Sequence, residues 1–360
     1  MIYRQGRIRV DVEKIKIINM IQGYSQSYIV YSSVELGIFN TLFTQSMTNQ
    51  QLAKELHLSA SLLERFMKVL MAMDLVHKED DCYQLTSLGK KLSGNSEETM
   101  EPIILFNGRI CMKAWGFFHE GLSMNKSPIE LMEGEAFFDS NVDSDHRLTT
   151  FNQMMRQSSM HLNLDILFQT RNVEEIKQIV DIGGGAGDVI VQLLTGFRFA
   201  EGIILDKDYI REEAERTIRT HDLESRCRFE EGDFFLPIEQ KSDAYILSRI
   251  LHDWDDDHVR AILRNIAEVM TDKNVLFIIE KLLPEKVTKQ TLPAFLGDMH
   301  IWALCNGKER TEREFEELLQ QENLYIARKH LLDTDTVILE VRKNVQHTDR
   351  RYDYEVCGAL

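Results

Sequence analysis

Residues 180–187 read Val-Asp-Ile-Gly-Gly-Gly-Ala-Gly, a glycine cluster that closes the β-rich run 178–182 and opens a helical stretch over 189–194. Glycines there let the backbone turn tightly and let a ligand reach the main chain with no Cβ in the way. Strand texture returns at 202–206, 226–231, 243–248 and 274–280, and helical periodicity fills 209–221, 255–270 and 311–321. That alternation predicts an α/β fold, a doubly wound and mostly parallel sheet. The segments LYIARKH and DTVILEVR close it as a C-terminal hairpin.

Up to about residue 168 almost every segment reads at helical period. The stretch 15–43 is apolar nearly all round (Ile18, Met20, Ile21, Tyr24, Tyr28, Val30, Val34, Leu36), more than a helix facing one core requires. Part of it is therefore expected to meet a second copy of the chain. Residues 47–92 predict a winged helix: Thr48 caps NQQLAKEL, Ser59 or Ser61 caps LLERFMKVLMAM, and VHKEDDCYQLTSLGKKL forms the wing. Domains are expected at 1–168, 169–343 and, as a loose polar tail, 344–360.

A winged helix raises the question of DNA, and charge answers it. From Thr48 to Lys91 the basic residues Lys54, Arg65, Lys68, Lys78, Lys90 and Lys91 are balanced by Glu55, Glu64, Asp74, Glu79, Asp80 and Asp81. Over the whole chain 42 Lys and Arg stand against 58 Asp and Glu, a net charge of -16 that repels a phosphate backbone. A ligand-responsive regulator is thereby disfavoured. No apolar run approaches the roughly 20 residues of a membrane helix, and the basic, charge-scattered start does not read as a signal peptide. A cytoplasmic protein is expected, binding neither nucleic acid nor membrane. The five cysteines are far apart and form no C-x-x-C pair, which speaks against a disulfide framework or a structural zinc.

The glycine loop lacks the third glycine of the dinucleotide pattern, since position 188 is aspartate. Asp206, ending the next strand, lies where a carboxylate accepts bonds from ribose hydroxyls. Gly232-Asp233-Phe234 adds a second carboxylate and a ring at the same sheet edge. Together they describe a site for a nucleoside without phosphates. In the helical half, Met112, Trp115, Phe118 and Met155 exceed what a small domain needs to close itself, and suit a pocket for a flat apolar ligand.

With Leu251-His252-Asp253-Trp254 added, the chain resembles the S-adenosylmethionine-dependent O-methyltransferases of the plant caffeate and bacterial polyketide type, over most of its length. The resemblance implies a homodimer through the N-terminal helices, S-adenosylmethionine as cofactor and a small aromatic acceptor. It makes His252 the general base, flanked by Glu280 and Glu309. Cofactor-binding roles carry over to Met155, Ser159, Gly183, Gly185, Asp206, Asp233 and Phe234. Plant members bind the cofactor through a lysine where this chain has Ser248, so that interaction is either missing or supplied by Arg249. On the acceptor side the resemblance implies Asp298, Met299, Trp302 and Asn306, with Trp115, Met112 and Asp253 beside them.

The chemistry accounts for these residue types. A phenol with a pKa of about 10 is a poor nucleophile until a base takes its proton, and histidine, near 6.5, is available for that at neutral pH. A carboxylate on the other ring nitrogen fixes the tautomer and favours the imidazolium that forms. A sulfonium is already activated, so no metal is expected. Asp253 and Asp255–Asp257 also read as cap and first-turn acids of the next helix, and His258 as structural. Some relatives of this fold bind the same cofactor yet decarboxylate, hydroxylate or rearrange their substrates; an intact His252, Glu280 and Glu309 favours methyl transfer.

Overall fold

The computed structural model describes residues 11–138, 145–160, 162–170 and 175–344. The predicted tail, apart from its first residue, lies outside them. Two compact units emerge. One draws on the chain up to Lys113 and on Asp145–Met154, the other on the chain from Ala114 and from Met155 onward.

In the first unit, helices Asn49–Glu55 and Ala60–Ala72 are followed by β2 (Val76–Glu79) and β3 (Cys82–Leu85), with β1 (Met47–Thr48) pairing β3. This is the helix-turn-helix and wing that the pattern predicts. Thr48 forms a capping box with Gln51, whereas Ser59 sits at the N-cap without a side-chain bond. Asp80 and Asp81 both take positive φ, 46° and 66°, the backbone of a two-residue hairpin turn. Ile38, Phe39, Leu52, Leu63, Met67, Leu70 and Tyr83 form its core. The helix Val12–Glu35 buries only Ser33 and Val34, and Met20, Ile21 and Tyr24 are 79%, 65% and 65% exposed.

The second unit is built on a seven-stranded sheet: β4 (Gln178–Ile182), β5 (Glu201–Asp206), β6 (Cys227–Glu231), β7 (Ala244–Ser248), β8 (Val275–Lys281), β9 (Leu324–Leu331) and β10 (Thr336–Lys343). The order is β6-β5-β4-β7-β8-β10-β9, parallel from β6 to β8, with β10 antiparallel to β8 and to β9. Central strands carry apolar side chains on both faces. Ile179, Ile204, Ile246 and Phe277 pack on one side with Ile190 and Leu194 of helix Asp188–Gly196. Val180, Ile203, Tyr245, Leu247 and Leu276 pack on the other with Ile262, Ile266, Phe315 and Leu319. Each such side chain contributes about 1.5–3 kcal/mol when fully buried, so the sheet is the rigid element.

From β4 the chain proceeds outward to β5 and β6, then returns to place β7 on the other flank of β4. Strand order reverses there, and ligands of open α/β sheets bind beyond the carboxyl ends at such a point. The residues that follow β4, β5 and β7 are Gly183, Lys207 and Arg249. Among the described residues no helix is long and apolar enough to cross a membrane.

Candidate active site

At the carboxyl end of β4 the glycine loop passes under Ile250 and Phe234. A Cβ on Gly183, whose φ is 69°, would lie 2.5 Å from Ile250 Cδ1 and 3.5 Å from Phe234 Cε1. Asp206 Oδ2 accepts the Gly185 amide at 2.8 Å, and its Oδ1 accepts the Lys207 amide at 2.6 Å. Asp233 accepts the Phe235 amide at 2.9 Å and pairs with Lys207 Nζ at 2.6 Å. Burial raises the Asp206 carboxyl; for Asp233 burial is outweighed by Lys207 and the Phe235 amide, which lower it. The expected loop and both carboxylates thus share one sheet edge.

The end of β7 brings the predicted base into the same place. Arg249 takes φ 55° and Leu251–Asp253 forms a short 3-10 turn carrying His252. His252 Nδ1 lies 3.2 Å from Glu309 Oε1 and 3.5 Å from Glu280 Oε2, and its Nε2 lies 3.6 Å from Asp253 Oδ1. Burial alone would lower its pKa, but Glu280, Asp253 and Glu309 together raise it to about 10. Burial correspondingly lifts Glu280 to about 7 against the opposing pull of His252. Glu280 also accepts the Ile250 and Leu251 amides at 3.0 and 2.8 Å, so it caps the turn that carries His252.

Met155, Ser159 and Arg249 converge as expected. Ser159 Oγ donates to the Met155 carbonyl at 2.9 Å and receives the Arg249 guanidinium. Burial holds that guanidinium below its ordinary pKa. Among the described residues several buried polar atoms lack a hydrogen-bond partner, including both Asp181 carboxylate oxygens, Ser248 Oγ, Arg249 Nε and Gln157 Oε1. Burial, followed by Asp206, raises the Asp181 carboxyl to about 7 against the opposing pull of the Ile190 amide. Buried polar groups left unpaired are costly. Of these, Asp181 borders the glycine loop, its Cγ 2.8 Å from where a Cβ on Gly184 would stand, and an orphaned carboxyl beside such a backbone cradle fits a polar ligand.

The acceptor-side residues divide. Asp298 Oδ1 accepts the Glu309 amide at 2.9 Å, so it positions a carboxylate beside His252. Trp302 meets Phe118 edge-on at 5.3 Å, Phe118 stacks on Trp115 at 4.7 Å, and Trp115 Nε1 donates to His300 Nδ1 at 3.1 Å. Met299 is half-buried on the same helix, Leu292–Cys305, while Asn306 is its exposed C-cap. Met112 belongs to the first unit and is half-buried there. Asp255, not Asp253, caps helix Asp256–Val269, accepting the His258 amide at 3.0 Å and the His258 ring at 2.8 Å. Asp253 instead faces Nε2 of His252.

The sequence pattern gave no sign of His300 or of the buried Arg310. His252, Glu280 and Glu309 each offer a ligand atom within 4.8 Å of the others, a donor set a divalent cation can also take.

Comparison with known proteins places this geometry. The O-methyltransferase domain family matches residues 120–324, and the O-methyltransferase dimerisation domain matches residues 18–94. Similar proteins include the phenazine O-methyltransferase PhzM of Lysobacter antibioticus, 25% identical over 91% of this chain and 95% of that protein. The mitomycin biosynthesis 6-O-methyltransferase of Streptomyces lavendulae is 27% identical over 90% and 93%. Among solved structures, LaPhzM superposes with a TM-score of 0.84 at 25% identity, over 93% of this chain and all of that one. Human N-acetylserotonin methyltransferase, solved with S-adenosylmethionine, shares the fold with a TM-score of 0.83 at 20% identity over 94% of this chain and 100% of that one. The chain belongs to the O-methyltransferase family, as its motifs imply.

Proposed function

We propose that this protein transfers the methyl group of S-adenosylmethionine to a hydroxyl, phenolic in character, of a small aromatic metabolite, with His252 as general base. The observation that carries the reading is His252, held by Glu309 and Glu280 on Nδ1, on a turn whose Ile250 rests against the glycine loop. Asp206 would take the ribose, Asp233 and Phe234 the adenine side, and Met155, Ser159, Ser248 and Arg249 the amino acid portion. The sulfonium, when bound, supplies a methyl carbon that needs no further activation and leaves S-adenosylhomocysteine.

The chain's own contribution is proton management and alignment. Nε2 is turned to Asp253 Oδ1 at 3.6 Å and not to the two glutamates, and it would take the acceptor proton once a bound sulfonium opposes the raised pKa of the ring. The imidazolium so formed is stabilised by Glu309 and Glu280, while positioning of the hydroxyl in line with the transferred carbon supplies much of the rate. The aromatic group of Trp115, Phe118 and Trp302 suits stacking against a planar acceptor. Its relatives include a phenazine O-methyltransferase and a mitomycin biosynthesis 6-O-methyltransferase, which supports that class. A homodimer through the exposed face of helix Val12–Glu35 and a cytoplasmic location complete the proposal.

The reading is tested by incubating the protein with methyl-labelled S-adenosylmethionine and a panel of hydroxylated phenazines, quinones and naphthoates, followed by mass spectrometry. One or more labelled ethers are expected. Consumption of a panel member without label transfer would instead favour a non-methylating reaction.

A further inference from the structure

Arg310 joins the three segments that bring His252, Glu280 and Glu309 together. Its side chain is completely buried, and its five N–H donors are all used. Nε and Nη2 donate to Asp256 Oδ1 at 2.9 and 2.8 Å, and Nη2 also donates to the Trp254 carbonyl at 2.7 Å. Nη1 donates to the Leu251 carbonyl at 2.8 Å and to the Lys308 carbonyl at 3.2 Å. The carbonyls of Leu251 and Trp254 bracket His252, so the guanidinium fixes both ends of the turn that presents the imidazole.

The backbone of the same residue reaches the third segment. The Leu283 amide donates to the Arg310 carbonyl at 2.9 Å, and Arg310 bridges Leu282 in parallel, just beyond Glu280 on β8. Between these anchors sits Glu309, whose own amide is held by Asp298. The seam is closed from the other side by Gly307. A Cβ there would lie 2.1 Å from the His252 carbonyl oxygen and 2.7 Å from the Asp253 carbonyl carbon, and the Lys308 amide donates to that His252 oxygen at 2.8 Å. Both obstructing atoms are backbone, so neither can swing aside.

We propose that Arg310, seated by Gly307, is a positioning residue that sets the contact of His252 with Glu309 and Glu280, an inference that rests on reading His252 as the base. A lysine cannot substitute, because it is a single-point donor where five bonds converge on three carbonyls and one carboxylate. Loss of the clamp lets the 307–310 segment part from the 251–256 turn. The charged groups facing the ring are Glu280 from β8, Glu309 from the 307–310 segment and Asp253 on its own turn, with Arg249 nearby; the Arg310 side chain ties the turn to the 307–310 segment, and its backbone ties that segment to the end of β8.

The test is a pH titration of His252 in histidine-labelled protein by NMR, the resonance assigned with His252→Asn, in wild type, Arg310→Lys and Gly307→Ala. S-adenosylmethionine affinity is measured alongside by calorimetry. Wild type is expected to titrate well above 6.5. Both variants are expected to move the midpoint down by a unit or more, with cofactor affinity within about threefold, since Asp206 and the glycine loop are untouched. Folded variants with the wild-type midpoint overturn the proposal, and so does a wild-type midpoint at the ordinary value. If Arg310→Lys does not fold, Gly307→Ala decides by the same comparison. Absence of cofactor binding in wild type counts against the enzymatic reading, while the titrations still decide the role of Arg310.

Discussion

Glu280 holds His252 from two directions: one carboxylate oxygen lies 3.4 Å from its amide nitrogen and the other 3.5 Å from its ring Nδ1. The first oxygen also takes the amides of Ile250 and Leu251, so most of its hydrogen bonding goes to backbone. Glu309, at 3.2 Å, makes the closer approach to the ring. The two glutamates are therefore not equivalent. One builds the turn and adds a charge; the other orients the imidazole.

That division predicts that the charge and the turn can be removed separately. Glu309→Gln removes the charged acceptor of a charge-assisted hydrogen bond, worth about 1.5–3 kcal/mol, and should lower turnover by roughly 10- to 100-fold with cofactor affinity unchanged. Glu280→Gln keeps an oxygen for the amides, so it should lose turnover to a similar degree while its Tm stays close to wild type. Glu280→Ala, which strips the turn of its acceptor, should lose several degrees of Tm as well. Steady-state kinetics and thermal melts on the three variants separate these outcomes.

Both ring nitrogens of His252 face carboxylate oxygens, and its pKa is raised to about 10 in the unliganded protein. The proton is therefore held at neutral pH, and its contribution to stability is complete below about 6.5 and lost as pH rises through about 10. A cation bound beside the ring opposes that elevation. Binding of S-adenosylmethionine near pH 8 should accordingly release more protons than binding of neutral-sulfur S-adenosylhomocysteine, and His252→Asn should abolish the difference. Calorimetry in buffers of different ionisation enthalpy reads this directly; equal release by both ligands in wild type would contradict it.

Asp181 is also raised, but in favour of its neutral form. Its carboxyl is lifted to about 7, first by burial and then by Asp206, so its contribution to stability is complete below its unfolded pKa of about 3.9 and is lost as pH rises through about 7. Replacing it with asparagine removes a buried charge. Asp181→Asn should be more stable than wild type by on the order of a few kcal/mol at pH 8, with the gap closing toward pH 4. Denaturant unfolding at the two pH values checks it; a gap independent of pH would count against it.

The exposed apolar face of helix Val12–Glu35 makes the dimer testable. Met20→Glu with Ile21→Glu places two charges on side chains that are 79% and 65% exposed in the single chain. The double variant should elute as a folded monomer in light-scattering chromatography, where wild type elutes as a dimer. A dimer that survives both charges would move the interface elsewhere.

What was legible in the sequence followed from local rules. The glycine loop, Asp206 and Asp233 each follow or end a strand run, so period and topology suffice to bring them to one edge. Thr48 and Asp255 announce their helices by capping chemistry. Arg310 gave no such signal, because three of its four partners are carbonyl or carboxylate groups more than fifty residues away. The resemblance assigns Asp298 to an acceptor segment, whereas its bond to the Glu309 amide depends on how a helix meets a loop. Asp253 read as a helix cap, since spacing alone cannot distinguish it from Asp255, which does the capping.

The central claim is that His252 takes the acceptor proton, and single-turnover methyl transfer by His252→Ala tests it most directly, using the acceptor that labels fastest in the wild-type screen. With S-adenosylmethionine affinity nearly unchanged, the rate of the chemical step should fall by about 10²- to 10⁴-fold, the range for a lost general base. A variant that transfers the methyl group within about twofold of the wild-type rate would remove the imidazole from the reaction.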